Sequence, residues 1–171
     1  TDNLDILLQA VTQSTVADGR RVREPYENAG NAQRRRGDER DDTDLTLYNA
    51  NVGYDFGKVR LDSASGYYQT QYQGRQDASL FDGNVIALAG PPGLYGLSNY
   101  DLYSDDHVDS EVFSQELRLT SETDSPVQWI IGAYYLHEDS VRQTVFTEGA
   151  LFGPILVIDR TNETTQWSGF G

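Results

Sequence analysis

The densest chemistry in this chain lies between positions 101 and 109, where Asp101, Asp105, Asp106, His107 and Asp109 crowd together. Carboxylate oxygens this close are the ligand type of a hard cation such as Ca²⁺. The regular ligand spacing of an EF-hand loop is absent, however, and a solvated acidic loop is the better reading. There are two histidines, His107 and His137, and no cysteine. Thiolate metal sites and cysteine nucleophiles are therefore excluded. A Ser-His-Asp relay would need one imidazole beside a serine and a carboxylate, and no nucleophile-elbow spacing offers that. Asp55-Phe56-Gly57 copies a metal-binding tripeptide of protein kinases without their glycine-rich or His-Arg-Asp loops, so it reads as a hairpin turn. Val59 after Gly57-Lys58 stands where a P-loop needs Ser or Thr. Arg36-Gly37-Asp38 sits in a run of alternating charge that reads as a solvated, self-pairing loop. We expect no metal, no cofactor and no bond-making step.

Two other groups suit binding. Tyr95, Tyr100 and Tyr103 are spaced through a Gly/Pro-rich stretch, where they could stack on a flat or sugar-like ligand. Packing of that loop onto its neighbours is the simpler alternative. Arg60, Asp62, Glu116 and Arg118 alternate with uncharged residues in extended segments. They suit a wet face on which opposite charges satisfy one another, Glu116 with Arg118 in particular, or anchor another segment.

The elements that must carry these residues are strands. Among 171 residues there are 11 Tyr and 16 Gly, with 27 acidic against 13 basic side chains and a net charge of -14. Such an acid excess argues against a nucleic-acid partner and against a polybasic membrane-surface module. No apolar run approaches the roughly 20 residues of a membrane helix. Alternation of period two dominates. It places Tyr48, Ala50, Val52 and Tyr54 on one parity of Leu45 to Asp55, and Val59, Leu61, Ser63, Ser65 and Tyr67 on one parity of Val59 to Gln73. In Glu111 to Ser121 the shared parity holds Phe113, Leu117 and Leu119; in Val127 to Asp139 it holds Val127, Trp129, Ile131, Ala133 and Tyr135. Ile130, Tyr134 and Leu136 leave two orientations open for that last segment. Asp5 to Gln13 fits a strand or a short helix, and Thr164 to Gly171 opens a further strand.

Short turns, Asp55 to Lys58 and Glu122 to Pro126, alternate with long polar connections at about 17–42, 75–110 and 144–162. Strict alternation of this kind, with strands of about ten or more residues, is the pattern of a transmembrane β-barrel with short periplasmic turns and long extracellular loops. Aromatics near the short turns (Tyr54, Phe56, Trp129) suit an interfacial belt. Ser63, Ser65 and Gln115 are the blemishes on the lipid-facing parity. The alternative is a soluble antiparallel β-sandwich acting as a carbohydrate- or partner-binding module. The absence of Met, together with an ending in mid-strand at Trp167 to Gly171, leads us to expect a piece of a longer protein.

The stretch Phe113-Ser114-Gln115-Glu116-Leu117-Arg118-Leu119-Thr120-Ser121, a short turn, then Trp129-Ile130-Ile131-Gly132-Ala133-Tyr134-Tyr135 resembles a hairpin of TonB-dependent outer-membrane receptors. Thr46 to Gly57 followed by Leu61 to Tyr67 is similar to the hairpin before it. The resemblance implies an all-β fold, about six antiparallel strands of a 22-stranded barrel in the Gram-negative outer membrane, with the plug and the C-terminal strands absent. It implies a parent receptor that binds a scarce nutrient (ferric siderophore, cobalamin or glycan) and imports it. TonB and the plug would be reached only through parts that this chain lacks, and outer-membrane lipid would be its direct partner.

Overall fold

The computed structural model describes residues 3–18, 38–78, 102–123, 126–148 and 153–171. Six strands follow one another: β1 (Leu4–Ala17), β2 (Arg40–Asp55), β3 (Val59–Asp77), β4 (Leu102–Ser121), β5 (Ile130–Glu148) and β6 (Gly153–Phe170). They form a single antiparallel sheet in sequence order, with β1 and β6 as its edges. The sheet is open. Each strand pairs with its chain neighbour, so every interface is a hairpin or a looped hairpin.

Residues facing one another across an antiparallel pair point to the same side of the sheet. The register therefore decides how the alternations add up. Leu4, Tyr54, Leu61, Leu119 and Ile131 stand abreast, and two residues along so do Ile6, Val52, Ser63, Leu117 and Ala133. Next come Leu8, Ala50, Ser65, Gln115, Tyr135 and Trp167, then Ala10, Tyr48, Tyr67, Phe113 and His137. The four apolar parities read from the sequence thus fall on one face, and Leu4, Ile6, Leu8 and Ala10 of β1 join them. The same register resolves the ambiguous segment: Ile131, Ala133 and Tyr135 join the apolar face, while Ile130 and Tyr134 take the other.

Nothing among the described residues covers that face. Ala78 and Leu102 are the buried hydrophobic residues, whereas Ile6, Leu8, Tyr48, Leu117, Ile131 and Trp167 are exposed, Trp167 by 76%. The second sheet that a sandwich requires is not found among the described strands. Burying one such side chain recovers about 1.5–3 kcal/mol. A face carrying this many would cost, in water, as much as the about 5–15 kcal/mol that holds a domain folded.

The structure corrects the sequence reading in three places. Strands run 14 to 20 residues and consume much of what reads as loop. Asp105, Asp106, His107 and Asp109 lie on β4, and so does Tyr103. Long and short connections do not alternate strictly, because β5 ends at Glu148 and β6 begins at Gly153. Polar residues do not exclude a strand when both of its sides pair and neither is a dry core, which is why polarity misplaced these boundaries. Finally, charges keep to one parity only in the turn-proximal half. Beyond the row of Tyr48, Tyr67 and Phe113, the apolar face becomes charged, with Glu111, Asp139 and Glu163 abreast and His107 and Asp159 farther out.

Candidate functional site

At the turn end, on the face opposite the apolar one, three strands bring four charges together. The short turn Phe56-Gly57-Lys58 sets the start of β3. Gly57 has φ +90, a conformation open to glycine, and its N–H donates to Asp55 Oδ1. Three residues after Gly57, Arg60 Nη2 donates to Asp5 Oδ2 of β1 at 2.8 Å, and Arg60 Nε donates to Asp62 Oδ1 at 2.9 Å. Arg118 Nη2 of β4 stands 3.9 Å from Asp62 Oδ2. With Glu116 these groups line an open depression of about 510 Å³. The expected pairing of Glu116 with Arg118 does not occur; Arg118 turns to Asp62 across the strand pair. Arg60, Asp62, Glu116 and Arg118 do share one face and one depression. Gly53 makes room for them, since a Cβ there would overlap the Arg60 guanidinium.

The acidic run of β4 does not converge. Successive strand residues point to opposite faces, so Asp105, His107 and Asp109 lie on one and Asp106 on the other. Arg75 Nε donates to Asp105 at 2.6 Å, Arg142 Nη2 to Asp106 Oδ1 at 2.9 Å, and His107 Nε2 lies 2.9 Å from Asp109 Oδ2. Three separate pairs on a strand replace the expected solvated acidic loop, and Asp101 lies outside the described residues. Tyr103 is met by Arg75, whose guanidinium carbon sits 5.6 Å from the ring centre. Tyr95 and Tyr100, like Arg36 and Gly37, lie outside the described residues.

The other histidine holds a group that sequence reading misses. His137 Nδ1 lies 3.0 Å from Thr165 Oγ1 and His137 Nε2 lies 3.1 Å from Asp139 Oδ2. Glu163, paired in register with Asp139, brings a third ligand-type atom, and all three lie within 4.8 Å of one another. His137-x-Asp139 is visible in the sequence; the arrival of Glu163 beside it depends on the β5–β6 register. Neither imidazole is hydrogen-bonded to a serine among the described residues.

The polar blemishes on the apolar face satisfy one another. Gln115 Nε2 donates to Ser63 Oγ at 2.9 Å and to the Glu116 carbonyl at 3.0 Å, while the Ser65 hydroxyl donates to Gln115 Oε1. Around them the aromatics form a belt. Phe113 and Tyr135 have ring centres 6.2 Å apart, Tyr135 and Trp167 4.3 Å apart, and at the turn end Tyr54 and Phe56 4.6 Å apart. Comparison with protein-family models, curated proteins and solved structures finds no match to this chain.

Proposed function

We propose that this chain is a wall segment of a Gram-negative outer-membrane β-barrel of the TonB-dependent receptor kind, whose parent takes up a scarce nutrient such as a ferric siderophore, cobalamin or a glycan. One observation carries the membrane reading: a single sheet bears an exposed apolar half-face that ends at an aromatic row, beyond which the same face turns acidic. Hydrocarbon bounded by an interfacial aromatic belt and then water demands that sequence of surfaces. From Tyr54 to Tyr48 is about 20 Å along the strand, or about 15 Å of depth at the usual barrel tilt. Aromatic rings at both ends add several Å each, which approaches the apolar band of about 25 Å. The paired charges of Asp5, Arg60, Asp62 and Arg118 suit a watery lumen, where the plug of such a receptor would meet them. The free edges of β1 and β6 suit continuation of the wall by further strands. The receptor kind rests on the resemblance of the two hairpins alone. In this role the chain contributes binding surface and passage, with no bond-making.

Placing a cation at matched depths on the two faces tests the wall. Leu117→Arg, at the middle of the apolar face, should destabilise the parent barrel folded in phospholipid vesicles by about 2–4 kcal/mol in urea titrations. Ala64→Arg, one strand over on the polar face, should cost less than about 1 kcal/mol. Equal costs would overturn the reading. The transport half is tested separately, with uptake of labelled nutrient by cells carrying the parent receptor. Uptake that persists when TonB is deleted rules out this receptor kind.

A further inference from the structure

We propose that His137, Asp139 and Glu163 form a binding site for a divalent transition cation of the Zn²⁺ type on the face of the β5–β6 pair that carries Tyr135 and Trp167. The site lies just past the aromatic row, needs only the register of those two strands, and stands apart from the barrel reading. Register sets His137 opposite Thr165 and Asp139 opposite Glu163, with all four side chains on one face. The three ligand-type atoms, one nitrogen and two carboxylate oxygens, lie within 4.8 Å of one another. A tetrahedral Zn²⁺ with ligands at about 2.1 Å holds its donors about 3.4 Å apart, and His137 Nε2 already stands 3.1 Å from Asp139 Oδ2. Glu163 is exposed, so its side chain swings freely to close the set.

The imidazole is oriented for the task. Nδ1 lies 3.0 Å from Thr165 Oγ1, so when an ion replaces the proton on Nε2, Nδ1–H has an oxygen ready to accept from it while Nε2 faces the carboxylates. A ligating histidine is commonly held in this way, its other nitrogen donating to an oxygen behind it. Electrostatics favour occupancy as well. Glu111 is the register partner of Asp139, so Glu111, Asp139 and Glu163 stand abreast on adjacent strands. Like charges directly opposite one another repel, and an ion among them removes that cost. Nitrogen among the donors selects a borderline metal over Ca²⁺ or Mg²⁺, which prefer oxygen alone. Three protein ligands leave a fourth position for water or an anionic group from outside.

His107 provides an internal control. It also has an aspartate two residues on, but its cross-strand neighbours on β5 are Gln143 and, for Asp109, Val141, so no third ligand arrives. The full chain, refolded in zwitterionic detergent and freed of metal, is titrated with Co²⁺ and followed by its d–d absorption, and with Zn²⁺ by calorimetry. One ion per chain is expected. His137→Gln and Glu163→Gln should each weaken binding at least tenfold, Thr165→Val several-fold, and His107→Gln not at all. The strand signal in circular dichroism verifies folding, and Glu163→Gln, nearly isosteric at an exposed position, keeps the comparison usable should His137→Gln fold poorly. The site is overturned by the absence of binding, by undiminished binding in Glu163→Gln, or by His107→Gln losing as much as His137→Gln. Displacement of Co²⁺ by equimolar Ca²⁺ would also overturn it, because the imidazole would then contribute nothing.

Discussion

Gln115 occupies a position at which a polar side chain facing lipid would leave a carboxamide without partners. Its three hydrogen bonds to Ser63, Ser65 and the Glu116 carbonyl remove that penalty, and they come from residues that sequence reading counts as separate defects. A neutral hydrogen bond contributes about 1 kcal/mol, and a stranded polar group costs about 1–3 kcal/mol. Ser65→Ala should therefore destabilise the parent barrel by about 1 kcal/mol in vesicles, measured by urea titration. In the Gln115→Leu background the same change should cost nearly nothing, the coupling expected of residues in contact. A second test concerns Gly53, where an added Cβ overlaps the movable end of Arg60 rather than any backbone atom. Gly53→Ala should displace the guanidinium from Asp5 and Asp62 at a small cost in the urea midpoint, since exposed pairs are worth little. That cost should vanish in Arg60→Ala.

At the scale of the elements, strand spacing itself is under constraint. Gly132 on β5 lies under the ring of Phe170 on β6, and a Cβ there would sit 2.8 Å from the Leu117 carbonyl oxygen of β4. A ring lying over a strand glycine covers the backbone that the missing side chain leaves bare. Gly132→Ala should cost about 1–3 kcal/mol, read from the urea midpoint. Phe170→Ala should relieve only part of it, because the carbonyl stays. Strand existence was legible for the four well-alternating segments, as was the short turn at Gly57, whereas Asp5 to Gln13 fitted a short helix as well and was settled as β1 only by its pairing with β2. Strand ends were not. Asp105, Asp106, His107 and Asp109 look like loop because charged residues are rare in half-buried strands, yet each finds its own partner on a sheet with no dry side, and β4 extends through them.

For the whole molecule, the proposed wall assigns a depth in the bilayer to each part of the apolar face. The two tryptophans lie toward opposite ends of the apolar face, with Trp129 beside the turn and Trp167 abreast of Tyr135, one row short of Tyr48, Tyr67 and Phe113, about 20 Å apart along the strands. In the parent barrel, with every other tryptophan replaced by Phe, Trp129 alone and Trp167 alone should each emit to the blue on folding into vesicles. Lipids brominated near the headgroup should quench each more strongly than lipids brominated near the chain end. Emission as in water from either would place that indole outside the interface.

Period two, the apolar parity and the turn residues were determined by the sequence alone. They are local: sterics makes successive strand side chains alternate, and a glycine at positive φ turns the chain wherever it stands. What faces what was decided only in the sheet. The register turned three blemishes into one hydrogen-bonded cluster, sent Arg118 to Asp62 instead of Glu116, split an acidic run between two faces and carried Glu163 to His137. Register is a property of neighbouring strands held by many hydrogen bonds at once, and no single segment contains it.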